Sequence, residues 1–146
     1  MIFCKKEFEK RINDAVFPGL QGGPHEHQIA ALATQLKYVK SSEYKEYMIQ
    51  VLKNSQMLAK HLIKFNFEIL TGGTDNHIIL INLKNKGLSG NKIEKICELI
   101  NISINKNSVK GDKSALNPSG IRIGTPSITT RGMKENDMLI IATFLN

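Results

Sequence analysis

The chain is poor in several residue types and patterns, and each shortage excludes something. Two cysteines, Cys4 and Cys97, in 146 residues make neither a disulfide framework nor a zinc-ligand pattern. A reducing compartment, the cytoplasm, is the default for such a chain. No apolar run reaches the roughly 20 residues that cross a bilayer, so no membrane partner is expected. The opening stretch "MIFCKKEFEKR" is not a secretory leader, because its apolar part is short and its charges follow rather than precede it. Arginine is scarce: Arg11, Arg122 and Arg131 stand against 17 lysines. There is no internal repeat and no low-complexity linker.

That scarcity bears on the net charge of +7. A polyanionic partner is one reading. The lysines are scattered, however, never more than two in a row, with no interleaved aromatics, which argues against nucleic acid. Lys, Asn and Ile fill 49 of the 146 positions. All three have A/T-rich codons, so a biased genome accounts for the charge. At 41% hydrophobic the chain can bury one modest core.

Pro24 suits the first turn of a helix, and Ile29, Leu32, Ala33 and Leu36 follow at helical spacing. Ser42 is placed to cap a longer helix, with Glu43 and Glu46 near its positive end. The stripe Tyr44, Tyr47, Met48, Val51, Leu58, Leu62 reads as that helix's core face. The period then changes. "FEIL" and "HIILINL" read as strands around the turn "TGGTDN". "KIEKICELI" puts Ile93, Ile96, Cys97 and Ile100 on one helical face, and "ISIN" reads as a short strand. Residues 106–120 read as a long irregular segment, of a length that often carries function. "GIRIGTP" is a strand ended by Pro126, and Thr130 is expected to cap a last helix that stops in mid-pattern at Asn146. The order predicts an α+β domain, a small sheet of short strands covered by helices and preceded by long helices.

Few residues suggest chemistry. Gly22 and Gly23 precede a helix start, where unpaired N–H groups and a partial positive charge suit phosphate. A plain turn explains them as well. In "IRI" the alternation sends Ile121 and Ile123 to one face and Arg122 to the other. There the guanidinium fork suits a carboxylate, a structural ion pair, or plain exposure. His25 and His27, two apart, should face different ways on a helix and cannot share a metal ion. No other metal set is present. His77 reads as a turn or core histidine and Cys97 as inert core. Asn105, Lys106 and Asn107 form a polar cluster at a strand end, where ligands often bind.

The stretches "VFPGLQGGPH", "TGGTDNH", "NKNSV", "GDKSALNPSGIRIGTP" and "TTRG", in this order, resemble serine hydroxymethyltransferase, from Ile2 or Phe3 to the end. The resemblance implies a fold-type I, aspartate-aminotransferase-like transferase that uses pyridoxal phosphate. Such an enzyme moves a one-carbon unit from serine to tetrahydrofolate, giving glycine and methylenetetrahydrofolate. It implies that Gly22 and Gly23 meet the cofactor phosphate from the neighbouring subunit of a homodimer or higher oligomer. It further implies that Arg122 holds the substrate carboxylate and that Asn107 contacts the folate pteridine.

The same resemblance marks what is missing. The threonine-rich TTTHK motif with the Schiff-base lysine does not occur, nor does the domain that surrounds the cofactor ring. The chain is therefore expected to be a piece of a longer enzyme, cut at both ends, with Met1 internal to a longer reading frame and no catalytic residue of its own. Residues 1–40 would be the end of the large cofactor-binding domain and the start of a linker helix. Residues 41–146 would be the C-terminal small domain, truncated. The complete enzyme would be cytoplasmic, with the mitochondrion as the alternative. A non-catalytic module that docks on a full-length subunit is the rival reading.

Overall fold

A computed structural model describes residues 2–146. The fold is α+β and divides into two units, the first ending at Ser41 and the second spanning Ser42–Asn146.

The first unit is helical. A short helix α1 (Glu9–Asp14) continues into a wide coil over Ala15–Leu20, interrupted at Phe17 by an extended conformation. Helix α2 covers Glu26–Val39. It starts later than expected: the residue before it, His25, is extended (φ −90°, ψ 110°), so Pro24 lies outside the first turn. The expected apolar stripe is present, and within this unit it stays open. Ile29, Leu32 and Leu36 are each more than half exposed, and neither helix has a buried residue.

The second unit is built on a long helix α3 (Ser42–Lys64), with Ser42 as its first residue. Strands β1 (Glu68–Ile69) and β2 (Ile78–Asn82) follow, then helix α4 (Gly90–Leu99), strands β3 (Asn105–Asn107) and β4 (Gly120–Gly124), and helices α5 (Pro126–Thr130) and α6 (Asp137–Leu145). The sheet order is β1-β2-β4-β3, antiparallel throughout. Strand alternation puts Ile79, Ile81, Ile121 and Ile123 on one face, against Leu58 and Leu62 of α3 and Met138 and Ala142 of α6. Full burial of such side chains contributes about 1.5–3 kcal/mol each. The stripe read along α3 is correct where it matters most: Val51, Leu58 and Leu62 are all at or below 2% exposure.

Three boundaries differ from the sequence reading, each for a local reason. "ISIN" is not the strand. Asn101 turns into the left-handed region (φ 60°), and the Ile102 N–H donates back to the Cys97 carbonyl at 2.8 Å, which ends α4. Pairing with β4 therefore begins only at Asn105. Pro126 ends β4 but also opens α5, where its missing N–H costs nothing. Thr130 is the last residue of that helix rather than a cap. Its hydroxyl donates to the Pro126 carbonyl at 3.0 Å, and the final helix starts at Asp137. On α4, Cys97 is buried as expected, but Ile96 is exposed, as is Ile100 just past the helix end.

A buried polar network fixes the helices to one another. Asn54 Nδ2 donates to Thr129 Oγ1 and to the Met133 carbonyl, both at 2.9 Å, and Asn54 Oδ1 accepts from Gln50 Nε2 at 2.9 Å. Thr129 Oγ1 donates to the Thr125 carbonyl at 2.8 Å, and Thr125 Oγ1 donates to the Val51 carbonyl at 2.9 Å. Every donor is matched, as buried polar groups require.

The sheet's tightest point is Gly120. A Cβ there would stand 2.8 Å from the Ile81 carbonyl oxygen and 2.9 Å from that of Asn107, and would collide with Val109 Cγ1. Gly120→Ala should therefore destabilise the second unit by about 1–3 kcal/mol. A urea titration of the variant measures this, and an unchanged midpoint would mean that the backbone yields there at no cost.

Candidate functional site

The helices cover one face of the sheet. The other face carries the predicted residues of the second unit. Arg122 stands in the middle of β4, directly opposite Leu80 of β2 and Asn105 of β3. Asn107 shares the next cross-strand row with Gly120, Asn82 and Glu68. Facing pairs in a sheet point the same way, so Arg122, Asn105 and Asn107 lie on one surface. The two members of "NKN" separated by Lys106 are brought together, while Lys106 alternates to the other face. There its ammonium lies 3.8 Å from Glu94 of α4.

Arg122 is exposed. Among the described residues no carboxylate lies within ion-pair distance of it, and no hydrogen bond occupies its guanidinium. Among the described residues, then, the structural ion pair left open by the sequence is absent. The nearest acid in the register, Glu68, lies two strands away and accepts from Asn82 Nδ2 at 3.0 Å. An unpaired guanidinium fork on a sheet face shared with Asn82, Asn105 and Asn107 is complementary to a carboxylate. Asn107 is half-buried, and its Nδ2 donates to the Ser108 carbonyl at 2.8 Å.

One residue that the sequence reading passed over organises the segment between these two. Asp112, its side chain 6% exposed, accepts through Oδ2 from the N–H groups of Val109 and Ser119, both at 2.9 Å. Its Oδ1 lies 3.2 Å from Lys84 Nζ. The two backbone donors, more than the lysine, hold its carboxyl far below the ordinary carboxylate range. The other leg is tied to α4. Gly90 N–H donates to the Pro118 carbonyl at 2.8 Å, and Asn91 Nδ2 to that of Leu116 at 2.7 Å. The 106–120 segment thus has a built internal frame. The signal available for it was one acid inside a polar stretch joining two candidate strands.

Gly22 and Gly23 belong to the first unit. Both are exposed, nothing stands within 4 Å of where a Cβ would be, and neither has a left-handed φ. Nothing inside the chain requires glycine at either position. His25 and His27 do not face different ways as expected: their rings stack at 5.4 Å, with His25 extended ahead of the helix. His77 is exposed and belongs to the turn before β2, not to the core. Cys97 is buried, which pushes its thiol pKa up and keeps it unreactive. An apolar cavity of about 740 Å³ lies toward α6, walled by Ile104, Ile128, Ile141 and Phe144. It holds none of the predicted residues.

The profile of a family described as "Serine hydroxymethyltransferase" matches residues 3–145. The chain is 48% identical over 151 residues to serine hydroxymethyltransferase 3, chloroplastic, of Arabidopsis thaliana, covering 99% of this chain and 28% of that protein. It is 52% identical over 139 residues to the mitochondrial serine hydroxymethyltransferase of Candida glabrata, covering 95% and 29%. It is 51% identical over 140 residues to the cytosolic one of Saccharomyces cerevisiae, covering 96% and 30%. The chain spans under a third of the length of these curated relatives.

Two stability predictions follow from the site's electrostatics. Because Arg122 is exposed and unpaired, Arg122→Ala should change the stability of the second unit by no more than about 0.5 kcal/mol, read from the same urea titration. A larger loss would mean that the arginine is structural. Asp112, with its lowered pKa, stabilises the fold fully above the unfolded carboxylate value of about 4. That contribution declines below pH 4 and is gone once the pH falls through the folded value. Asp112→Asn should therefore flatten the acid limb of stability against pH below about 4, and an unaltered limb would exclude the clamp as its source.

Proposed function

The chain belongs to the serine hydroxymethyltransferase family, and on that footing we propose that its open sheet face is the substrate side of that family's reaction. The family is a pyridoxal-phosphate-dependent transferase family of one-carbon groups. In the complete protein, Arg122 would hold the carboxylate of serine or glycine, and Asn107 would meet the pteridine of tetrahydrofolate. The observation that carries this reading is the unpaired guanidinium of Arg122 on one surface with Asn107.

The residues present suit the cofactor's phosphate end. Gly22 and Gly23 leave their backbone approachable where a Cβ would stand in the way, next to a helix N-terminus that carries no side-chain cap. They would serve the phosphate in a neighbouring subunit. When bound, pyridoxal phosphate supplies an electron sink for negative charge developing at the substrate's α-carbon. Arg122 orients that substrate through two-point contact with its carboxylate, which fixes which α-carbon bond stands where the chemistry needs it. The chain alone is inactive in this reading, since none of its 17 lysines stands in the family's TTTHK motif.

Assembly into a dimer or larger oligomer belongs to the same family reading. For the complete protein the cytosol is the proposed compartment, as in the name of the Saccharomyces cerevisiae relative. The named relatives are cytosolic, mitochondrial and chloroplastic. No helix among the described residues is long and apolar enough to cross a membrane.

In the full-length protein, Arg122→Ala should retain the cofactor and lose about 2–5 kcal/mol of glycine binding, the scale of a truncated charge pair in a site. Calorimetry with glycine reads this, and unchanged affinity overturns the assignment. Gly23→Val should weaken cofactor retention in the partner's site rather than its own. Mixed dimers with a different lesion in each subunit separate the two cases, and a defect confined to the mutated subunit contradicts the cross-subunit role.

A further inference from the structure

The segment 108–119 joins the strand that ends in Asn107 to the strand that carries Arg122, and one carboxylate closes it. Asp112 pins the N–H groups of Val109 and Ser119 to a single oxygen, so both ends of the segment are held together. Lys84 extends the tie. Its ammonium meets Asp112 Oδ1 at 3.2 Å and donates to the Lys110 carbonyl at 2.8 Å. Lys84 is itself fixed just past β2, where its N–H donates to Asn82 Oδ1 at 3.1 Å. Asn82 stands in the same cross-strand row as Gly120 and Asn107. Held this way, the segment lays the buried Val109 over Gly120, where no side chain competes for the space.

The two ligand residues do not depend on this tie equally. Arg122 sits in the middle of a five-residue strand paired on both sides. Asn107 ends a three-residue edge strand with a partner on one side only, and runs directly into the clamped segment. Slackening the clamp displaces Asn107 while the flanking strands still hold Arg122.

We propose that Asp112, tied to Lys84, is a positioning residue that fixes where Asn107 stands relative to Arg122, and so aligns the pterin contact with the amino-acid contact. The proposal rests on the reading of Asn107 and Arg122 given above. Asp112 acts through Asn107 and touches neither substrate. Its charge is the point: an ionised carboxylate accepts both N–H groups and the ammonium more strongly than a neutral amide can.

The test uses the full-length protein with Asp112→Asn, Lys84→Met and, as a control, Asn107→Ala. Asp112→Asn should raise the KM for tetrahydrofolate roughly ten-fold, equivalent to about 1.4 kcal/mol of binding, and leave the dissociation constant of glycine unaltered. Lys84→Met should act in the same direction and less. Hydrogen–deuterium exchange gives a readout that needs no folate: in Asp112→Asn a peptide over residues 105–110 should exchange faster while one over residues 78–82 does not. Equal losses for folate and glycine, or faster exchange in both peptides, would reduce Asp112 to a general stability residue and overturn the proposal. A normal folate KM with unchanged exchange over 105–110 would overturn it as well. If Asn107→Ala leaves folate KM untouched while the 105–110 peptide still loosens in Asp112→Asn, the folate role of Asn107 is wrong and the clamp on β3 is supported.

Discussion

Five cross-strand pairs between β2 and β4 govern the rest of the second unit. They set Ile79 and Ile81 beside Ile123 and Ile121 on the face that α3 and α6 cover, and the same alternation sends Arg122 to the open face. A slip of one residue would reverse every side chain. It would drive Arg122 in among Leu58, Leu62 and Met138 and bring two isoleucines out to water. An unpaired buried guanidinium costs several kcal/mol, and the isoleucine transfer adds to that. The hydrophobic pattern that stabilises the sheet is therefore also what aims the arginine. No separate device for orienting it is needed.

Polar side chains do the finer placement. Asn54 sits wholly buried and joins α3 to α5 and to the turn before α6. Asp112 does the corresponding job at the surface end of the sheet, with backbone N–H groups as its main partners. The two differ in what they hold. Asn54 fixes helices against one another beneath the sheet. Asp112 fixes a connecting segment at the edge of the open face, where a small displacement reaches a ligand contact without disturbing the core.

Much of this was legible in the sequence, and the failures have physical causes. The period-two alternation of "HIILIN" and "GIRIG" placed β2 and β4 and put Arg122 on its own face, because both strands are half-buried and alternate cleanly. The shift of β3 from "ISIN" to "NKN" was not legible, because pairing with β4 decides the strand and apolar content does not. "ISIN" has the better β-propensity, but its isoleucines follow the closing turn of α4 at Asn101. Thr130 looked like a cap because threonine often is one, and Pro126 hid a five-residue helix by looking only like a strand stop. Helix α1 lacks a long apolar stripe and was not expected. At Gly22 and Gly23 the sequence suggested a close approach by something, and the structure supplies no internal reason for either glycine. Asp112 escaped because its partners are backbone groups and a lysine 28 positions earlier, and such pairings leave no local pattern.

The central claim is that this sheet face receives a carboxylate at Arg122 beside a pterin at Asn107. The most direct measurement is a crystal structure of the full-length protein with pyridoxal phosphate, glycine and a folate bound. The account predicts the glycine carboxylate in two-point contact with the Arg122 guanidinium, and the folate ring within hydrogen-bond reach of the Asn107 side chain. Arg122 paired instead with a carboxylate of the protein, with glycine bound elsewhere, would contradict it.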